Sequence, residues 1–86
     1  PSIAILGGGL NLEDVQKLGI NLVGADISYS NLTGTNLVGA NLAFANLSNV
    51  NLSGSDLSGT ILTGANLEKT NLSDAILNCI NHPICN

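Results

Sequence analysis

The sequence predicts an all-β solenoid, a chain that bends once every five residues and stacks its coils along one axis. Three observations predict it. From Leu22, an apolar side chain recurs at every fifth position through Ile27, Leu32, Leu37, Leu42, Leu47, Leu52, Leu57, Leu62, Leu67, Leu72 and Leu77 without a gap. Two residues before each of these stands a small or β-branched side chain, from Ile20, Ala25, Ser30 and Thr35 to Val50, Ser55, Thr60, Thr70 and Ala75. The residue directly before the centre is Asn or Asp except at Ile61 and Ile76, and Gly recurs two residues after it, at Gly24, Gly34, Gly39, Gly54, Gly59 and Gly64.

A period of five fits neither the 3.6 of an α-helix nor the 2 of a plain strand, so each unit must contain its own corner. The central residue and the small residue two before it lie on the same side of an extended stretch and face inward. The other three positions face out. Asn and Asp tolerate turns and bond nearby backbone, and Gly accepts positive φ, which a corner in every unit demands. Four corners close a square coil of twenty residues, so residues twenty apart stack. The core ladders are then Leu22, Leu42 and Leu62 on one side and Leu32, Leu52 and Leu72 on another. Three coils from Ile20 rise roughly 14 Å at ~4.8 Å per coil, with aliphatic burial adding from coil to coil.

The units A-N-L-A-F, A-N-L-S-N, S-D-L-S-G and A-N-L-E-K resemble those of the pentapeptide-repeat proteins, and the resemblance runs from Ile20 to Asn78. It implies a right-handed quadrilateral β-helix, whereas the period alone yields a square coil without its hand. It also implies a non-catalytic protein of a family numerous in cyanobacteria, with members in the periplasm and thylakoid lumen. Some relatives imitate DNA and inhibit type II topoisomerase. Those are longer rods with a broad acidic side, and this chain departs from them on both counts.

The domain reading is an N-terminal segment with a capping helix over 1–19, the repeat over 20–78 and a lid over 79–86. A stack of coils needs its ends covered, because an open end exposes leucine and unpaired strand edges. Asn11 suits an N-cap, Leu12 to Leu18 read as two helical turns with Glu13 and Asp14 in the first, and Gly19 suits the stop. Leu12, Val15 and Leu18 would point onto the first coil. At the other end Pro83, which lacks an amide proton, stops further pairing. Cys79 and Cys85 most simply form one disulfide that closes a lid, and this favours an oxidising compartment: periplasm, thylakoid lumen or secreted. Free thiols in a reducing cytosol are one alternative. A metal site of Cys79, His82 and Cys85 is another, although structural zinc wants a fourth ligand.

Charge is sparse, with net charge −4, no Arg, and only Lys17 and Lys69 as cations. A cationic footprint for phosphates is missing, so no nucleic-acid partner is expected. Asn, Ser or Gly interrupts every apolar run, so no membrane insertion is expected either. The chain begins at Pro1 without a charged region and apolar segment behind it, so a signal peptide would lie outside it.

Chemistry is hard to place on such a sequence. His82 is the only histidine and has no carboxylate nearby in the chain, so it reads as a surface residue. The hydroxyls of Ser28, Thr33, Ser48, Ser53, Ser58, Thr63 and Ser73 fall one residue after a centre as part of the repeat, and no base singles one out. No catalytic residue, cofactor or metal site is named. Folding the register does place Val23, Phe44 and Ile61 on one side, with Phe44 in an outward position normally held by Gly. Phe44 lying flat over a neighbouring corner is the plain reading; the three together also suit a protein partner or weak self-association. The stacked Asn31, Asn51 and Asn71 beside Thr33, Ser53 and Ser73 form an array that suits a glycan or ice surface.

Overall fold

The computed structural model describes residues 21–86. The expected Asn11 cap and the helix over Leu12 to Leu18 lie outside the described residues.

Parallel bridges join Asn21 to Asn41, Asp26 to Asn46, Asn31 to Asn51, Asn36 to Asp56, Asn41 to Ile61, Asn46 to Asn66, Asn51 to Asn71 and Asp56 to Ile76, each between residues twenty apart. A turn occurs between successive bridges, once in every five residues. The chain is therefore a β-helical solenoid. Its units fall into columns, here named by their first central residue: the Leu22, Ile27, Leu32 and Leu37 columns.

The unit around Leu52 shows why these residues form this shape, because all five of its amide protons have a partner. Asn51 donates to the Ser30 carbonyl one coil before at 3.1 Å. Leu52 and Gly54 donate to Asn71 and Ser73 one coil on, each at 2.8 Å, and Ser55 closes the turn on the Leu52 carbonyl at 3.0 Å. That leaves the Ser53 N–H, which no ladder carbonyl reaches. It donates to Oδ1 of Asn51 at 3.0 Å. The Asn or Asp before each centre thus supplies the acceptor that the backbone geometry omits. The same bond forms at Asn21, Asp26, Asn31, Asn36, Asn41, Asn46, Asp56, Asn66 and Asn71. Where Ile61 and Ile76 replace the amide, the N–H of Thr63 and of Asn78 find no such acceptor among the described residues.

The third residue of every turn has positive φ, from 58° at Asn49 to 71° at Gly24, as a type II turn requires. Gly holds this place in six units, and Tyr29, Phe44, Asn49, Lys69 and Asp74 hold it in the others. The two aromatics are the costly occupants, since bulky side chains rarely adopt this conformation.

Inside, Leu22, Leu42 and Leu62 form one fully buried rank and Leu32 with Leu52 another, at 0–1% exposure. The small residues from Ala25 to Ala65 between them are buried as well, and the hydroxyls of three later ones turn to backbone. Ser55 donates to the Leu32 carbonyl and Thr60 to the Leu37 carbonyl, both at 2.7 Å, and Thr70 to the Leu47 carbonyl at 2.8 Å. Ser30 Oγ and Thr35 Oγ1, in the first described coil, are buried without a partner among the described residues. Ser28, expected to face water, is also buried, with its hydroxyl folded onto the Asp26 carboxylate at 2.7 Å.

The register slips at the end of the third coil. Ile61 pairs with Ile80, nineteen residues on, so the last corner is one residue short and Cys79 takes the inward place normally held by the small residue. The next central place falls to Asn81, which is exposed, and the ladder stops there.

Candidate functional site

The C-terminal lid contains the most chemically distinctive residues. Cys79 and Cys85 form a disulfide. The two sulfurs are bonded to each other, which removes them as thiolate ligands, and no cluster able to hold a metal ion occurs among the described residues. His82 is not the free surface residue expected from the sequence. It is half-buried, its Nε2–H donates to the Ala65 carbonyl at 3.2 Å, and its Nδ1 accepts from the Ile84 N–H at 3.3 Å. One ring nitrogen thus ties the lid to the coil and the other closes the lid's own turn. Cys85 N–H donates to the His82 carbonyl at 2.9 Å and Asn86 N–H to the Leu77 carbonyl at 2.7 Å. Ile84 and Cys85 pack against the leucine core. Nothing in the sequence marked His82 for this role, because its partners are reached only once the coil has closed.

The three residues expected to share a side all fall in the Leu22 column. Val23 and Ile61 are half-buried, and Phe44 is 67% exposed at the corner. Its ring lies over the corner one coil on: a Cβ built on Gly64 would meet Phe44 Cδ1 at 2.5 Å and Cε1 at 2.7 Å. The absence of a side chain at Gly64 makes the seat for the ring. Ile80, missed from the sequence because its place depends on the register slip, extends this surface as the bridge partner of Ile61 and is 43% exposed. Ala43 lies between Val23 and Thr63 in the same column.

The Leu22 column is also the uncharged one among the described residues. Asp26, Glu68 and Lys69 belong to the Ile27 column, Asp74 to the Leu32 column and Asp56 to the Leu37 column. The acids are thus divided among three columns and form no broad acidic side. Asp26 and Asp56 are held below the ordinary carboxylate range, first by the hydroxyls of Ser28 and Ser58 and then by the N–H groups of the same residues, against a smaller opposing effect of burial. In the Leu32 column, Oδ1 of Asn31, Asn51 and Asn71 each accepts the N–H of the residue two on. The amide oxygens of that array are therefore directed at their own backbone. No helix among the described residues is long and apolar enough to cross a membrane.

The family model for pentapeptide repeats matches residues 20–59 and 40–78. The chain belongs to the pentapeptide-repeat family. Membership agrees with a structural or interaction role for this repeat, and the disulfide agrees with an oxidising compartment. Among solved structures the chain is similar to Rfr23, a pentapeptide-repeat protein from the cyanobacterium Cyanothece 51142. The identity is 40%, over 72% of this chain and 47% of that one, with a TM-score of 0.53. It is also similar to HetL, a pentapeptide-repeat protein involved in heterocyst differentiation regulation in the cyanobacterium Nostoc sp. strain PCC 7120. There the identity is 31%, over 71% of this chain and 38% of that one, with a TM-score of 0.36. The chain thus spans less than half the length of either relative. Comparison with functionally curated proteins finds no match.

Proposed function

We propose that this chain is an interaction module, a right-handed, four-sided coil whose Leu22 column docks a protein partner. The observation that carries the reading is the coincidence on one column of Val23, Phe44, Ile61 and Ile80 with the lack of any charge there among the described residues. An aromatic ring left 67% exposed in a strained backbone conformation has a cost in both solvation and geometry, and such costs are retained at sites of function. Phe44 is the anchor in this reading, seated on Gly64, and the neutral strip around it is the part of the surface most easily dried. The hand and the square section rest on the family resemblance together with the four turns per twenty residues. The paired cysteines favour an oxidising compartment for the module, such as a periplasm, a thylakoid lumen or the exterior of the cell.

The test is affinity capture from an extract of the source organism, comparing the parent chain with Phe44→Ser combined with Val23→Ser. A protein held by the parent and lost from the double variant, with urea midpoints showing both chains folded, supports the reading. An unchanged set of captured proteins rejects it.

A further inference from the structure

In four units a single side-chain oxygen serves two donors. Oδ1 of Asp26 accepts the Ser28 N–H at 3.1 Å and the Ser28 hydroxyl at 2.7 Å. Asp56 does the same for Ser58 at 3.0 and 2.6 Å, Asn46 for Ser48 at 3.0 and 2.7 Å, and Asn31 for Thr33 at 3.2 and 2.7 Å. Such a turn aims a backbone N–H and a hydroxyl at one point, and a carboxylate or amide oxygen sits there. The Thr33 unit shows that threonine supplies the hydroxyl as well as serine does.

Thr63 carries the same two donors at the same place of its turn, but the residue two before it is Ile61. An aliphatic side chain offers no oxygen, so neither the N–H nor the hydroxyl of Thr63 has a partner among the described residues. The other unit that lacks the amide, after Ile76, has Asn78 in this place and so brings no hydroxyl. The Asn and Asp side chains that meet these donors elsewhere stand on the outer surface, half-buried or exposed, so the Thr63 pair faces outward too. Apolar groups flank it. The Thr63 carbonyl accepts the Phe44 N–H at 2.7 Å, the Phe44 ring lies over the next residue, Gly64, and Ile61 is bridged to Ile80.

We propose that the Thr63 N–H and hydroxyl together bind a carboxylate oxygen presented from outside the chain, with an aliphatic group beside it packed on Phe44 and Ile61. Asp and Asn both fill the equivalent point elsewhere in the coil, and an ionised acceptor makes the stronger bond of the two. The Leu22 column has no acid among the described residues to repel it. The inference deepens the docking reading of that column and rests on it for the partner: a protein segment that offers an Asp or Glu side chain next to Val, Leu or Ile.

Isovalerate, a carboxylate on a branched aliphatic chain, is the probe, and it is titrated at neutral pH into the isotope-labelled chain while amide resonances are followed. The Thr63 N–H is expected to move downfield and to saturate with a Kd of about 10 mM, in the weak range that so few contacts support. Cross-peaks from the probe's methyls to the Phe44 ring are expected with it. Ile61→Asn gives Thr63 the acceptor that other units have and should abolish the response, whereas Ile61→Val should leave it as in the parent. Thr63→Val deletes the hydroxyl and should weaken binding about tenfold. Circular dichroism and urea midpoints check that each variant folds. No saturable shift at Thr63 up to about 100 mM overturns the proposal. So does a response that survives Ile61→Asn, an equal one at Asn78, or equal binding of the neutral isovaleramide. Because the titration needs no partner, a failed capture experiment with the Thr63 response intact counts against the docking partner and not against the site.

Discussion

Replacing Gly64 by Ala separates two costs that a corner imposes on its third residue. At φ +68° an L side chain is strained, and left-handed backbone costs it about 1 to 2 kcal/mol. Gly54 sits at φ +70° with nothing within 4 Å of a built Cβ, so Gly54→Ala should cost only that amount. At Gly64 the same Cβ lands 2.5 Å from Phe44 Cδ1, so the ring must leave its seat. The ring is already 67% exposed, which lets it swing outward instead of forcing the backbone apart. What is lost is the apolar contact, on the order of 40 Å² or about 1 kcal/mol at 25 cal/mol per Å². Gly64→Ala is therefore expected to cost about 2 to 3 kcal/mol, roughly 1 kcal/mol more than Gly54→Ala. In a Phe44→Ser background that excess should vanish. Urea unfolding of the four chains, read from the midpoint at constant slope, measures the difference. Equal costs at Gly54 and Gly64 in the parent, or an excess that survives Phe44→Ser, would refute the seating of the ring.

Three further outcomes follow from the bonds already described. Asn51→Ala removes the acceptor of the Ser53 N–H and should cost about 1 kcal/mol, while Asn51→Asp keeps an oxygen in place and should cost less; urea midpoints compare the two. Replacing both Cys79 and Cys85 by Ser opens a short loop worth about 2 kcal/mol in the chain-entropy estimate, and it should speed hydrogen exchange of the Asn86 N–H that bonds Leu77. The depressed carboxyls of Asp26 and Asp56 contribute stability that is fully present above the unfolded value near pH 4 and is lost as pH falls through the lower folded value. Asp26→Asn with Asp56→Asn keeps the accepting oxygen and removes the titration, so midpoints measured from neutral to acid pH should fall less steeply than in the parent.

The coil was legible in the sequence because its cause is local and repeated. Leu at every fifth place, a small residue two before it and Gly two after it each express a constraint that every unit meets separately, and the ranks of Leu22, Leu42 and Leu62 follow by counting. The role of Asn was legible only in kind: it was expected to bond nearby backbone, but which N–H lacked an acceptor emerges from the ladder between coils. The plain reading of Phe44, a ring flat over a neighbouring corner, matches its seat on Gly64. The Cys79–Cys85 bond was legible from the cysteine count, and the other terminal features escaped because they depend on one missing residue. With Cys79 moved inward, Ile80 joins the surface beside Ile61, Asn81 ends the ladder, and His82 is swung to within reach of Ala65. No residue in that stretch carries a periodic signal, so its neighbours could not be counted from the repeat.

The account rests on residues twenty apart lying on top of one another. Methyl-resolved NOE spectroscopy of leucine-labelled protein tests this directly. Strong cross-peaks linking Leu22 to Leu42 and Leu42 to Leu62, with similar ones linking Leu32 to Leu52 and Leu52 to Leu72, are the expected result. If methyl contacts instead fall between residues three or four apart, or the Leu42 methyls contact only water and their immediate chain neighbours, the stacked coil is contradicted.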